Sequence, residues 1–524
     1  MIERRVFWLA VSFLAGGGTM ILEITAPRLM QPYFGASTFV WTNVIGVILL
    51  ALALGYEMGG RLASRGASHR AMGWILVAAA LFALVEVFAF GRLAGALLPD
   101  SGRLEDLGPT RRQLQWASFA AASFLFAPPV FLLASLPPQI VARLSALSSP
   151  GKAAGDVLMW GTLGSLLGTF LPTYLVIPVW GSRACLLLAV TVLGLPAAAL
   201  LLRGRRGTAA AAGILLLALP VVGPPGGPLR GPLGGEKLLL EEETPYQYLR
   251  IVEAPAYGEG LDPGRDRQEL LRIDEGVREF HSVGPLPGRA DSGGKYYDLF
   301  AVLPGAFPKH RALEAVILGA GAGTTSRLLD ATWPGRFSRI VDVELDPEIL
   351  ALAERFDPDR AKRPVRGVAM DGRGFLRLCD EPWDLILVDA YARQVDIPFH
   401  MTTVEFWRLV RSRLKPDGLV ALNVSAPDVG AGLIQSLARS MREAGLRSLH
   451  CTPVPFWGNV ILWASARERR GGWGSLRAPE PLSRIHARAS RFDLALEDDG
   501  EGVLLRDDHA PVEWLTERSL ESAR

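Results

Sequence analysis

The chain has 524 residues, of which 49% are hydrophobic and 21% charged, and its mean hydropathy is +0.24; a wholly water-soluble domain rarely averages out apolar, so part of it must meet something other than water. The formal charge of +2 conceals a division, because residues 1–230 hold 17 basic and 8 acidic side chains and the remainder 38 and 45, a +9 half followed by a −7 half. A lipid-facing half and a water-facing half fit that division, which excludes nucleic acid held in a basic groove; Cys185, Cys379 and Cys451 have neither metal-ligand spacing nor a disulfide framework and suit a reduced compartment.

A hydrocarbon core needs roughly 20 apolar residues per helix. Stretches at about 6–26, 38–58, 72–98, 115–140, 156–180 and 183–202 qualify, and a shorter run from Thr208 to Val222 ends in GPPGGPLRGPLGG. Residues 1–225 are therefore read as an α-helical polytopic bundle of six to seven spans, with the lipid bilayer as partner. The first stretch continues through Glu23 and is read as a retained span, not a cleaved signal. Arg4/Arg5, Arg61/Arg65/Arg70, Arg143/Lys152 and Arg203/Arg205/Arg206 fall on alternate loops, which predicts a cytoplasmic N-terminus, while Arg103, Arg111 and Arg112 on an expected outer loop count against it. Six spans and a half-helix would keep the second half in the cytoplasm; a full seventh would put it outside.

Three glutamates lie in these runs. Glu57 is near a membrane face. Glu23 and Glu86 are candidate contacts for a cation or amine, because a carboxyl at bilayer depth normally faces the bundle interior or a wet cavity; the alternative is an interhelical hydrogen bond from a protonated side chain. Gly161, Gly164 and Gly168 share one helix face and predict close helix packing.

After the Gly/Pro-rich linker at about 223–235, YQYLRIVEA from Tyr246 and ELLRI from Glu269 predict a small β-rich lead-in over 236–305. Over 306–465 apolar strands end in small or acidic residues (EAVILGAGAG, SRIVDVELD, VRGVAMD, WDLILVDA, GLVALNVS), with helix-period segments between them. Repeated βαβ units predict a doubly wound, mainly parallel, Rossmann-like sheet that binds ligands at the carboxyl ends of its strands. Residues 466–524 are read as a C-terminal extension with no assigned function.

The first strand end is Gly319-Ala320-Gly321-Ala322-Gly323, where glycines allow close backbone approach and a following helix offers free N–H groups. Alone it is also what a ligand-free strand–helix turn looks like. Glu344, about 20 residues on, stands where an acid accepts from ribose hydroxyls, and Asp371 and Asp389 end the next two strands. Together the four strand ends predict an adenosine-type ligand. The seven histidines include no HxxxH or similar pair, so no metal is expected.

The order Tyr246-Gln247, LRID (Leu271 to Asp274), KYYD (Lys295 to Asp298), GAGAG, VELD, MDGRGFL and DLILVDA resembles the spermidine synthase (polyamine aminopropyltransferase) family. More particularly, it is similar to the bacterial branch with a fused N-terminal multi-span module. The resemblance implies a small β-domain ahead of a class I methyltransferase-like sheet, an inner-membrane multi-pass location with a cytoplasmic catalytic domain, and decarboxylated S-adenosylmethionine, or S-adenosylmethionine itself, as the ligand. It implies that Gln247 lies near the nucleoside, that Gly319, Ala320, Gly321 and Gly323 form the cofactor turn, that Glu344 with Leu345 holds the ribose, and that Asp371 with Gly372 meets the adenine. Asp389 is then the acid that orients or deprotonates the attacking amine. Tyr246, Tyr297, Asp298, Tyr391, Asp396 and His400 are the candidates for contact with a small amine or membrane-associated acceptor, and a homodimer is a candidate assembly.

The chain departs from the family at three places, one of them the family's LDG, which reads Ile273-Asp274-Glu275-Gly276 here. The GGGDGG loop reads GAGAG, and the D-x-x-D strand end reads Asp389-Ala390-Tyr391-Ala392, without the second acid. Asp396 is a candidate replacement, its alternative being a solvated loop acid. His400 is a candidate base or substrate contact, its alternative being structural. Asn423 is expected to bound the pocket, and Phe399, Trp407 and Trp457 to be core or pocket wall. The leading expectation is aminopropyl transfer. The rivals are an S-adenosylmethionine-dependent methyltransferase acting on a membrane-associated or amphipathic acceptor, and a polyamine transporter or sensor with a non-catalytic soluble half.

Overall fold

The computed structural model describes residues 2–34, 38–66, 68–97, 116–201, 228–232, 234–273, 280–391, 396–454, 457–497 and 502–521. Apolar runs of this length satisfy their backbone only as helices in lipid, and the first half forms α1 (Ile2–Phe34), α2 (Thr38–Ser64), α3 (His69–Leu97), α4 (Trp116–Ser145), α5 (Pro150–Leu171) and α6 (Ile177–Leu201). A π-turn at Ala122–Phe126 interrupts α4, and another at Pro172–Val176 joins α5 to α6. Among the described residues, five helical stretches are long and apolar enough to cross a membrane; α5 is not one of them. Outward-facing Ile45, Leu49, Val85, Phe88, Leu158 and Leu166 are each at least half exposed, a belt unsuited to water. The glycines of α5 meet α1 backbone to backbone: a Cβ on Gly164 would stand 1.9 Å from the Phe13 carbonyl oxygen. Thr208–Val222 and Arg103, Arg111, Arg112, Arg203, Arg205 and Arg206 lie outside the described residues.

Opposite ends of this bundle have different neighbours. At one end Arg5 pairs with Asp156, Trp8 stacks on His69 with centroids 5.0 Å apart, and Leu201 crowds Gly73. At the other, the Tyr33 hydroxyl donates to the Leu229 carbonyl and Arg28 and Ser182 reach the soluble half. The chain leaves one face at Leu201 and resumes on the other at Leu229. The N-terminal end of α1 and the α/β half therefore stand at opposite ends of the bundle.

β1 (Lys237–Glu243), β2 (Tyr248–Pro255), β3 (Arg267–Ile273) and β4 (Ser282–Val283) form an antiparallel sheet in sequential order. The second sheet holds β5 (Leu313–Leu318), β6 (Phe337–Glu344), β7 (Val365–Ala369), β8 (Trp383–Val388), β9 (Leu414–Ser425), β10 (Arg447–Val454), β11 (Asn459–Ser465) and β12 (Leu494–Ala495). Its order is β12-β10-β11-β9-β8-β5-β6-β7, parallel from β7 to β9 and antiparallel beyond. Strand order reverses at β5, so the ligand crevice of a doubly wound sheet opens beside the β5 and β8 carboxyl ends. The central strands β5, β8, β9 and β11 are buried on both faces, while β7 at the edge is largely exposed. Residues 466–524 are no appendage: β12 adds to the sheet edge, and Asp507 pairs with the buried Arg373 at 2.6 Å.

Candidate active site

The glycine loop is tied to its neighbours through its backbone. Gly319 and Ala320 donate to the Val343 carbonyl at 2.8 and 3.1 Å, and Gly321 donates to Glu344 Oε2 at 2.9 Å. Gly319 has a φ of +82°, and a Cβ there would lie 2.5 Å from Ala390 Cα and 2.7 Å from the Asp389 carbonyl oxygen. That close approach brings the β8 acid beside the loop. Ala322 is fully buried with Leu249, Ile251 and Leu271, apolar surroundings in which an unpaired carboxylate would be costly.

Glu344 also accepts from the N–H groups of Leu345 at 2.8 Å and Asp346 at 3.4 Å. Burial raises its carboxyl pKa, and those three amides pull it back. Leu345 is half exposed at the rim. Asp371 caps the helix Gly372–Leu378 by accepting from Gly374 N at 2.7 Å, and its other oxygen lies 3.0 Å from His400 Nε2. The contact with His400 holds the Asp371 carboxyl below its usual range. His400, an acceptor candidate in the sequence, is thus placed against Asp371. Gly372 is buried against Met401 and Leu318.

Asn423 Nδ2 donates to Asp389 Oδ1 at 2.9 Å, and Asn423 is itself held by Asn459 Nδ2 at 3.0 Å and accepts the Tyr391 hydroxyl on its carbonyl at 2.9 Å. Burial pushes the Asp389 carboxyl up to about 7, opposed by hydrogen bonds from Asn423 and Tyr296 and reinforced by Glu344. Tyr296 is the tyrosine hydrogen-bonded to Asp389, and the acceptor candidate Tyr297 lies beside it, the two rings 4.0 Å apart. Behind Tyr297 come Phe280 and Trp457, and the Lys295 ammonium stands 5.0 Å from the Trp457 ring centre while donating to the Ser292 and Tyr257 carbonyls. Trp457 lines this row as expected; Trp407 is core, and Phe399 is exposed.

Asp298, a candidate acceptor contact, is engaged within its own loop. It is buried and accepts from Ser292 N at 2.7 Å and Gly294 N at 2.8 Å, so it builds its own loop. Asp396 is buried, not solvated, and the segment between it and Tyr391 lies outside the described residues, as does Asp274. Tyr246 is half exposed on the β1–β2 turn, while Gln247 Nε2 donates to Asp346 Oδ2 at 3.2 Å. The sequence reading missed Ser282, whose hydroxyl accepts from Ala322 N at 2.8 Å, and Thr244, whose hydroxyl donates to Asp346 at 2.6 Å. Neither carries a local signal. In the bundle Glu86 is 2% exposed, and neither of its carboxyl oxygens has a hydrogen-bond partner among the described residues; Glu23 is half-buried. Among the described residues no group of three metal-ligating side chains occurs.

The fold and crevice define a class: a Rossmann-like nucleotide-type domain with a β-rich lead-in behind an apolar helical module. A comparison with protein-family models gives no match. In sequence the chain is 32% identical over 241 residues to a probable polyamine aminopropyl transferase of Bifidobacterium longum, covering 42% of this chain and 52% of that one. It is 26% identical over 505 residues to polyamine aminopropyltransferase 2 of Streptomyces coelicolor, covering 91% and 82%. The chain thus spans about half the length of the first relative, and its alignment with the second takes in most of both chains. A solved structure of a probable spermidine synthase from Corynebacterium glutamicum is 23% identical, with 55% of this chain and 94% of that one covered and a TM-score of 0.36. The chain resembles the polyamine aminopropyltransferase family, and its helical module is consistent with a fused membrane half.

Proposed function

We propose that the chain is a membrane-integral transferase that moves an aminopropyl group from decarboxylated S-adenosylmethionine to an amine. The observation that carries this is Asp389, an acid drawn up to about 7 at the β8 end, oriented by Asn423 and set against the glycine loop. The residues present fit an adenosine-type donor: an all-small loop at 319–323, Glu344 for ribose hydroxyls, and Asp371 with Gly372 at the base. Bound there, the donor supplies a sulfonium with an activated neighbouring carbon. Asp389 orients the acceptor nitrogen and takes the proton it sheds, which is proximity and general-base help from one group. Arg360, which reaches Gly323, is bound to Asp342 at 2.7 Å and so offers no free cation for a donor carboxylate.

Titrating both donors against the purified protein tests the reading. Decarboxylated S-adenosylmethionine is expected to bind more tightly; tighter binding of the intact form would favour the methyltransferase reading, which the buried Ala322 of the loop supports. With Ala392 in place of the family's second acid and the Lys295 ammonium behind Tyr297, a diamine lacks a carboxylate for its far end, and putrescine is expected to be a poor acceptor.

The transferase reading also assigns a side. S-adenosyl donors are made in the cytosol, so the soluble domain is cytoplasmic and the N-terminus, at the opposite end of the bundle, is outside, against the positive-inside count. A reporter fused after Arg524 that is active only in the cytoplasm checks this. Activity solely in the outside-reporting fusion would overturn the transferase reading.

A further inference from the structure

The β1–β2 turn, Glu243 to Gln247, is gripped from both sides. From the membrane module, Arg28 near the end of α1 donates through Nη1 to the Thr244 carbonyl at 3.1 Å and through Nη2 to the Pro245 carbonyl. At the α6 kink, Ser182 donates its N–H at 2.7 Å and its hydroxyl at 2.5 Å to the two oxygens of Glu243. From the nucleotide side, Asp346 Oδ2 accepts the Thr244 hydroxyl at 2.6 Å and Gln247 Nε2 at 3.2 Å. Asp346 is fully buried, its other oxygen caps the helix Pro347–Ala351, and its N–H donates to Glu344 Oε1 at 3.4 Å. An unbroken chain of hydrogen bonds therefore runs from α1 through Thr244 and Asp346 to the strand-end acid.

We propose that Arg28 and Ser182 are positioning residues for the donor pocket, so that the membrane module is part of the nucleotide site and not only an anchor. The inference rests on the transferase reading for the ligand, and on geometry alone for the coupling. A turn held on one side only would let Asp346 and Gln247 shift, and Glu344 with them. Donor affinity would fall while Asp389, held by Asn423, kept its place. The membrane half then contributes to donor KM and not to kcat.

The test uses the full chain in lipid nanodiscs, with Arg28→Ala, Arg28→Lys, Thr244→Val and, at the far end of the bundle, Arg61→Ala, whose residue pairs with Glu57 of its own helix. Arg28→Ala and Thr244→Val are expected to raise donor KM about tenfold with kcat within about twofold, the loss expected when a charge-assisted or a buried hydrogen bond to a positioned group is removed. Arg28→Lys should recover part of the loss, and Arg61→Ala should change nothing. Without any ligand, hydrogen exchange at 344–348 should quicken in Arg28→Ala. An unchanged exchange rate at 344–348 overturns the coupling whatever the chain binds. Faster exchange in a wild-type-like melt, with no donor binding even by the wild type, would uphold the coupling and sink the transferase reading.

Discussion

Asp389→Asn is expected to lower turnover by on the order of 10²-fold or more, as loss of a positioned base should, while donor affinity stays within about twofold. Asparagine keeps the side-chain volume and can still meet Asn423, so the crevice is undisturbed; what disappears is the group that accepts a proton. The wild-type rate carries a signature of the same group. Burial raises the carboxyl to about 7, and only the carboxylate accepts a proton, so kcat/KM should fall as pH drops through about 7 and level off above it. In Asp389→Asn that limb should vanish. Steady-state rates from pH 5 to 9 with calorimetric donor titration check both halves. A folded, donor-competent variant with undiminished turnover would remove Asp389 from the chemistry.

Gly319→Ala should damage binding and stability together. At φ +82° an alanine sits in the left-handed region, and its Cβ would press within 2.5 Å of Ala390 Cα and 2.7 Å of the Asp389 carbonyl oxygen, both backbone atoms that cannot rotate aside. Strain and collision together are worth about 2–4 kcal/mol. Relief requires separating β5 from the β8 end, which moves the glycine loop away from Asp389. The expected result is a lower melting temperature with both donor affinity and turnover reduced, in contrast to Asp389→Asn, where turnover alone falls. A variant that melts and binds donor like the wild type would mean that the loop does not need this approach.

The contrast separates what could be read from residues from what could not. Five parallel strands were legible because buried β-strands are short apolar runs with small or acidic ends, and the period changes between them. The glycine loop, Glu344, Asp371 and Asp389 were legible for the same reason: each is the last residue of such a run or the turn after it. Tyr296 and Tyr297 were not distinguishable, because which of two adjacent helical residues faces Asp389 depends on where the helix Tyr296–Val302 begins and what it packs against. The carboxylate of Asp298 reads as a site acid, yet folding spends it on two amides of its own loop. His400 follows the Asp389 loop in the chain but crosses the crevice to Asp371.

Composition and periodicity by themselves determined an apolar helical half, an acidic Rossmann-like half and the strand-end acids, since hydrophobic burial and backbone hydrogen bonding act over a few residues at a time. Only the tertiary structure decided that residues 466–524 complete the sheet, that the N-terminal end of α1 and the α/β half lie at opposite ends of the bundle, and that Arg28 reaches Thr244 across 216 positions of chain. Those outcomes depend on which distant surfaces meet, and polar groups such as the Thr244 hydroxyl and the Asp346 carboxylate acquire partners only when buried together.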